Sequence, residues 1–116
     1  MSAIREVTLP AVTRVQIARY AGAVTDFNPV HVDEAFAQAS GLPSVIAHGP
    51  LTVARALDAI VAQVGVENVK KLDARLRAPY LPGETLVVTP SEDGVELRTG
   101  SGTLLATVVL RIEEQK

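Results

Sequence analysis

Two short segments of the chain contain the residue types that acid–base chemistry requires. The first holds Asp26, Asn28 and His31, and the second holds His48 and Gly49; the chain has 2 histidines, and these segments contain both. An aspartate and a histidine that converge on one water molecule can hold and deprotonate it, because the imidazole titrates near neutral pH and the carboxylate can accept a proton or orient the ring. Asn28 can hydrogen-bond to either of them or to a substrate.

The first segment also has a simpler explanation. Asn28 followed by Pro29 is a turn signal, so Asp26 and Asn28 can serve only to bond local backbone groups while His31 lies on the surface. Residue spacing by itself does not separate this structural interpretation from the catalytic one.

The second segment precedes an apolar stretch that predicts a helix. Backbone N–H groups at a helix N-terminus point outward at the positive end of the helix dipole, which suits a developing oxyanion. Gly49 would let a substrate carbonyl approach the backbone closely. Taken alone, His48 and Gly49 fit a plain loop with a turn glycine better than they fit such a site.

Other catalytic chemistries receive less support. The histidines and carboxylates lack the HExxH spacing of a zinc protease, and no Gly-x-Ser-x-Gly elbow indicates a serine hydrolase. The chain has no cysteine, which removes thiolate nucleophiles, disulfides and cysteine-bound metals. We therefore expect neither a metal nor another cofactor. Four basic residues can meet the phosphates of a carrier such as coenzyme A, but the solvated face of a strand explains them better: Lys70, Lys71, Arg75 and Arg77.

Composition sets the remaining bounds. The 116 residues, 47% hydrophobic and 21% charged, predict one globular domain spanning residues 1–116. A net charge of -2 provides no basic face for nucleic acid. The N-terminus lacks the layout of a signal peptide, and no apolar run reaches the roughly 18 residues that a membrane helix requires. We expect a cytoplasmic protein without nucleic-acid or membrane partners.

Residue periodicity predicts helices in the first half of the chain. Thr13 is the predicted N-cap of a helix that ends near Asp26. Asp33 is the predicted N-cap of a second, short helix that Gly41 terminates. The apolar face of the first helix comprises Ile17, Tyr20, Ala21 and Val24. A longer core helix is predicted over residues 51–64. Because it is apolar on nearly every side, we expect it to be buried on nearly every side, with Arg55 and Asp58 forming an ion pair within it.

Alternating residues predict strands near the start of the chain, over 6–9, and in its second half, over 72–78, 85–89, 95–98 and 103–112. Short turns should join the later strands as antiparallel neighbours. In the last strand, alternation places five side chains on the face that can pack on the core helix: Leu104, Ala106, Val108, Leu110 and Ile112. It leaves Leu105, Thr107 and Val109 on the other side. The expected class is α+β, with one antiparallel sheet wrapped around one long buried helix.

Together, the two chemical segments resemble a known signature. The run from Tyr20 to Asp33 contains D-x-N-P-x-H-x-D, and residues 46–49 then read I-x-H-G. This pair resembles the hydratase-2 motif of the MaoC-like (R)-specific enoyl-CoA hydratases and dehydratases, which have the hot-dog fold. The stretch from Arg77 to Glu84 is also similar to a strand and turn of that family. The resemblance covers residues 15–88.

The resemblance implies a hydro-lyase that adds water reversibly to a trans-2-enoyl thioester, giving a 3-hydroxyacyl thioester. It implies that Asp26 and His31 form the catalytic dyad and that Asn28 orients it. The backbone N–H of Gly49 would bind the thioester carbonyl, and the predicted substrate-binding residues are Asn28, His48 and Gly49. The carrier would be coenzyme A or acyl carrier protein, and the domain would pair with itself or with a similar subunit. A hot-dog acyl thioesterase and a non-catalytic subunit of a heteromeric dehydratase are the alternatives.

Overall fold

The strands form where alternating side chains predict them. The computed structural model of the protein describes residues 4–113. The element boundaries within that range are β1 (Val7–Leu9), β2 (Val69–Leu76), β3 (Leu86–Ser91), β4 (Gly94–Thr99) and β5 (Leu104–Ile112). Together they make one antiparallel sheet in the order β1-β3-β4-β5-β2. The predicted α+β class, a sheet with one long helix against it, is confirmed.

The place of β2 in the sheet differs from the predicted one. β2 pairs with β5, with Leu72 opposite Leu110, and β1 pairs with β3, with Val7 opposite Val88. The prediction that short turns make all the later strands neighbours is wrong for β2 and β3. The connection over residues 77–85 is too long for a tight hairpin and contains Pro79 as well, so it carries the chain across the sheet instead.

A bulge changes the direction of one side chain in β5. Leu97 lies opposite Ala106 but Arg98 lies opposite Leu104, so Leu105 is an extra residue on its strand. The predicted outward position of Leu105 is wrong, since its side chain is only 1% exposed. After the bulge, alternation holds: Ala106, Val108 and Leu110 are buried.

The helices begin at predicted caps. They are α1 (Arg14–Val24), α2 (Pro29–Val32), α3 (Glu34–Ala39) and α4 (Gly49–Val64), with a 3-10 turn at Val66–Asn68. Thr13 and Gln16 form a reciprocal capping box at the start of α1, and Asp33 caps α3. Val24, predicted for the buried face of α1, is 48% exposed because α1 packs through the turn containing Ile17 and Ala21.

The long helix α4 is buried along one stripe. Its buried residues are spaced four apart, which places them on one face: Thr52, Ala56, Ile60 and Val64. Ala56, Ile60 and Val64 join core residues of β3, β4 and β5. The expectation of burial on nearly every side is wrong for this chain, because one sheet covers one side of a helix. The adjacent apolar stripe of Val53, Leu57 and Val61 is only half-buried.

The predicted ion pair between Arg55 and Asp58 is also absent from the described residues. Arg55 instead donates to the Tyr80 hydroxyl at 2.9 Å and to the Pro10 carbonyl at 2.6 Å. These bonds connect α4 to the loop after β2 and to the chain after β1. Within residues 4–113, no helix has the length and apolar character needed to cross a membrane.

Candidate active site

The end of α1 sets the position of Asp26. Thr25 terminates the helix in the left-handed conformation at φ 57°, and the N–H of Asp26 donates back to the Ala21 carbonyl at 3.0 Å. The Asp26 side chain is exposed, and its Oδ1 accepts from the N–H of Asn28 at 3.3 Å. The Asx-turn is therefore present. It holds the carboxylate in one orientation and leaves Oδ2 outside that bond.

His31 lies in α2, a single helical turn that the sequence suggested only as a turn. Asn28 caps this turn, accepting from the N–H of Val30 at 3.2 Å. The Nδ1 atom of His31 lies 2.7 Å from the Ile46 carbonyl oxygen. Because a carbonyl only accepts, Nδ1 carries the hydrogen, and Nε2 of the neutral ring bears a free lone pair.

His48 lies behind His31 in the interior. Its side chain is 1% exposed, and its Nε2 lies 3.0 Å from the backbone carbonyl of Asp26, so Nε2 carries the hydrogen. The rings of His31 and His48 stack with centroids 3.7 Å apart and planes 20° apart. The Tyr20 ring also contacts His48, at a centroid distance of 4.9 Å. His48 therefore contacts backbone or side chain of both predicted dyad residues.

The three titratable side chains converge. One ligating atom from each of Asp26, His31 and His48 lies within 4.8 Å of the others. A water between a carboxylate oxygen and an imidazole nitrogen at that separation can hydrogen-bond to both, since each bond spans about 2.8 Å. A shared metal ion suits the geometry less well. Imidazole lone pairs lie in the ring plane, and two stacked rings direct them side by side rather than at one point.

A cavity of about 260 Å³ adjoins His31. Its walls are mostly apolar and come from the segment before α4, from α4, from the end of β2 and its following loop, and from the β5 bulge. The lining residues are His31, Ile46, Ala47, Gly49, Thr52, Leu76, Arg77, Ala78, Pro79, Tyr80 and Leu105. Small apolar pockets with few polar groups are typical of sites that bind a ligand's hydrocarbon part.

Gly49 is the first residue of α4 and lines this cavity. Backbone N–H groups in the first turn have no partner within the helix and lie at its positive end. A side chain at position 49 would overlap the Cδ1 atom of Leu76. The glycine therefore permits close packing at the point where a carbonyl oxygen would approach the backbone.

The structure places the five predicted site residues in different roles. His31 and Gly49 line the cavity, and Asp26 is not among the lining residues but has a carboxylate oxygen within 4.8 Å of a His31 ring nitrogen. Asn28 is exposed and caps α2, and His48 is buried outside the cavity lining. The predicted substrate contacts of Asn28 and His48 stay predictions. Of the predicted basic residues, Lys70, Lys71, Arg75 and Arg77 are exposed, and Arg77 reaches the cavity.

Two cavity residues had no chemical signal in the sequence. Tyr80 is 2% exposed, and its hydroxyl donates to the Glu84 carbonyl at 2.7 Å while accepting from Arg55. Burial raises the pKa of this Tyr80 hydroxyl, against a smaller lowering by Arg55. Leu105 reaches the cavity through the bulge. In the sequence, only the family-like stretch from Arg77 to Glu84 indicated that this part of the chain belongs to the site.

Comparisons with known proteins identify the family. Residues 3–113 match the MaoC-like domain family, and the chain belongs to it. The family predicted from the Asp26-to-Gly49 region is therefore confirmed. A curated relative, 3-hydroxyacyl-thioester dehydratase Y of Mycobacterium tuberculosis, is 41% identical over an alignment of 75 residues that covers 60% of this chain and 26% of the relative. The chain spans between 12% and 29% of the length of five curated relatives that it matches.

Solved structures share the fold over nearly the whole chain. The (R)-hydratase from A. caviae involved in PHA biosynthesis has a TM-score of 0.80 at 21% identity, covering 99% of this chain and 98% of that one. One chain of the ChsH1–ChsH2 complex from Mycobacterium tuberculosis has a TM-score of 0.77 at 22% identity, covering 97% of this chain and 94% of that one. At these identities the likeness is one of fold, and it confirms the hot-dog class.

Proposed function

We propose that this domain catalyses the reversible hydration of a trans-2-enoyl thioester to a 3-hydroxyacyl thioester. The observation that carries the proposal is the convergence of Asp26 and His31, with ligating atoms within 4.8 Å, at the edge of a cavity that also contains the N-terminus of α4. Membership of the MaoC-like domain family supports the reaction class. A water-activating pair and an oxyanion donor are the two devices that addition to a conjugated thioester needs.

The proposed roles follow from the hydrogen-bond pattern. The Nε2 lone pair of His31 accepts a proton from a water held between His31 and the Asp26 carboxylate. The water oxygen bonds to the β-carbon as the carbon–carbon double bond opens, and negative charge moves to the thioester oxygen. The backbone N–H of Gly49 stabilises that oxygen. Return of the proton from His31 to the α-carbon completes the addition and restores both residues.

The Ile46 carbonyl selects the tautomer of His31 that this step requires. While Nδ1–H donates to Ile46, the free lone pair is on Nε2, the nitrogen available to a water. Asp26 stabilises the imidazolium that forms after proton transfer. Asn28 orients both residues by bonding Asp26 and capping the turn that contains His31.

A hot-dog thioesterase is the first alternative, because it would act on the same substrate class. It would direct an activated water at the carbonyl carbon and release free thiol. The second alternative is a non-catalytic subunit of a heteromeric dehydratase. The convergence of both dyad side chains, with ligating atoms within 4.8 Å of each other, favours addition to the alkene over either of these.

One assay separates the three functions. Purified protein is mixed with crotonyl-CoA, and loss of the enoyl-thioester absorbance is followed in parallel with release of free thiol. Absorbance loss without thiol supports the hydratase. Thiol release at the same rate indicates the thioesterase. Absence of both, repeated with longer enoyl chains, contradicts catalysis by this chain alone.

The proposal extends to the assembly, the thioester carrier and the compartment. We propose a homodimer or a pair with a similar hot-dog subunit, which the likeness to one chain of the ChsH1–ChsH2 complex supports at the level of fold. The thioester carrier is coenzyme A or acyl carrier protein, and the compartment is the cytoplasm. We treat residues 1–116 as one domain, consistent with the family match over 3–113.

A further inference from the structure

The least explained polar side chain near the site is His48. It is almost completely buried, at 1% exposed, yet it lies outside the cavity lining. Its Nδ1 atom has no hydrogen-bond partner within the described structure. An unpartnered buried polar atom costs free energy, typically about 1–3 kcal/mol. A purely apolar side chain would avoid that cost, so the contacts that His48 does make require an explanation.

Those contacts are directed at the two dyad residues. The Nε2–H of His48 donates to the backbone carbonyl of Asp26 at 3.0 Å, and this bond joins the start of α4 to a loop 22 residues earlier. One face of the His48 ring stacks on His31 with centroids 3.7 Å apart. The Tyr20 ring, tilted by 60°, contacts the same imidazole. His48 thus restrains the backbone of one dyad residue and the ring of the other.

We infer that His48 is a positioning residue that sets the separation of Asp26 and His31 without contacting the substrate. The inference rests on the proposed hydratase function and assigns His48 a different role from the predicted substrate contact, which stays untested. Backbone bonds alone leave freedom in this region: Asp26 follows a helix end, and His31 lies in one turn of four residues. A misplacement of about 1 Å in a catalytic group can cost about 10²-fold in rate. A side chain that restrains both residues should therefore raise kcat.

Two amide variants separate the hydrogen bond from the bulk of the side chain. The amide of His48→Gln extends to the position of Nε2 and can still donate to the Asp26 carbonyl. The amide of His48→Asn reaches only the position of Nδ1, which has no partner. His48→Phe retains a ring to stack on His31 but loses the donor. Val88→Ala, which creates a cavity in the core of β3, provides a control for general loss of stability.

Steady-state kinetics with crotonyl-CoA are compared at equal fractions of folded protein. We expect His48→Asn and His48→Phe to lower kcat by between about tenfold and 10²-fold while KM changes little. His48→Gln should retain several-fold more activity than His48→Asn, and Val88→Ala should retain its kcat. Equal activity of the Gln and Asn variants, or a raised KM with unchanged kcat, would overturn the inference.

A second measurement does not depend on catalysis. The Nδ1 proton of His31, bonded to the Ile46 carbonyl, should give a downfield proton NMR signal protected from solvent exchange in the wild-type protein. We expect that signal to broaden in His48→Asn and to persist in Val88→Ala. An unchanged signal in His48→Asn would overturn the positioning role. If the wild-type protein lacks hydratase activity, the proposed function fails, and this signal still decides whether His48 restrains His31.

Discussion

At the residue scale, hydrogen bonds to the backbone fix the orientations of the Asp26 carboxylate and the His31 ring. Asp26 and Asn28 do form the local turn that their spacing suggests, and His31 does bond to backbone. The structural and catalytic interpretations are therefore compatible: the turn is the device that orients the carboxylate. The sequence showed the residue types and their proximity along the chain. It could not show that His48 is buried, because that burial depends on contacts with Tyr20 and His31, which are distant along the chain.

Removing either dyad side chain should abolish hydration. We expect Asp26→Asn and His31→Asn each to lower kcat by about 10²- to 10⁴-fold, the range for a general acid or base. Asparagine is the most informative replacement for His31, because its amide can still donate to the Ile46 carbonyl in place of Nδ1 while the Nε2 lone pair is lost. In the proposed mechanism the two residues act on one water, so the double variant should be little worse than either single one. Asp58→Asn, on the exposed side of α4, is the charge-matched control; a dyad variant as active as this control would refute the assignment.

Gly49 should matter through the space beside its backbone. Gly49→Ala adds a methyl group that meets the Leu76 side chain, which is 57% exposed and can rotate away. We therefore expect little loss of thermal stability but a loss of about 10²-fold in kcat/KM, because the methyl crowds the thioester oxygen. The double variant Gly49→Ala with Leu76→Ala is compared with Leu76→Ala alone. Recovery of activity in that pair would mean that displaced Leu76, and not the methyl, blocks the site.

At the element scale, periodicity predicted where helices and strands form better than how they are arranged. Thr13 and Asp33 cap their helices as predicted, because caps depend on local bonds. The position of β2 beside β5 depends on a loop that crosses the sheet, and no local pattern encodes it. The bulge at Leu105 depends on register with β4. The α2 turn escaped prediction because an Asn-Pro pair begins a turn and a helix equally well.

One side chain joins two of these helices to the segment before α4. Glu34 in α3 accepts from the N–H of Val45 at 2.8 Å and from Arg14 of α1 at 2.7 Å. The Val45 hydrogen bond, and then the Arg14 guanidinium, lower the pKa of the Glu34 carboxyl below its ordinary 4.5. Glu34 thereby connects α1 and α3 to the segment that leads into His48 and Gly49.

The lowered pKa fixes the direction of a pH effect. A carboxyl whose pKa is lower in the folded state stabilises that state above its unfolded pKa, and the contribution is lost as pH falls through the folded pKa. We expect wild-type protein to have a higher thermal midpoint than Glu34→Gln at about pH 6, and the gap to narrow as pH falls below the ordinary value of 4.5. Glu113→Gln, at an exposed pair with Arg111, serves as control. A gap that stays constant down to about pH 3 would contradict this linkage.

At the scale of the whole molecule, the fold leaves apolar surface uncovered. The half-buried stripe of Val53, Leu57 and Val61 on α4 lies beside the buried one. Strand β2 lies at one edge of the sheet, with backbone groups available for pairing, and Leu76 at its end is exposed. The outward strip predicted for β5 is narrower than expected, because Leu105 turns inward. Val109 still faces outward.

This uncovered surface predicts a dimer that buries well over about 1,000 Å². Val61→Lys places a charge on the half-buried stripe of α4, while Ala62→Lys adds the same side chain one residue later, at an exposed position. Replacing valine by lysine raises helix propensity and replacing alanine by lysine lowers it slightly, so helix propensity does not account for a weaker dimer in Val61→Lys, and the face that carries the charge does. We expect wild type and Ala62→Lys to sediment as dimers at low micromolar concentration, and Val61→Lys to shift toward the chain mass of 12.3 kDa with reduced activity. A wild-type protein that sediments as a stable, active monomer would show that the domain needs no partner to complete its site.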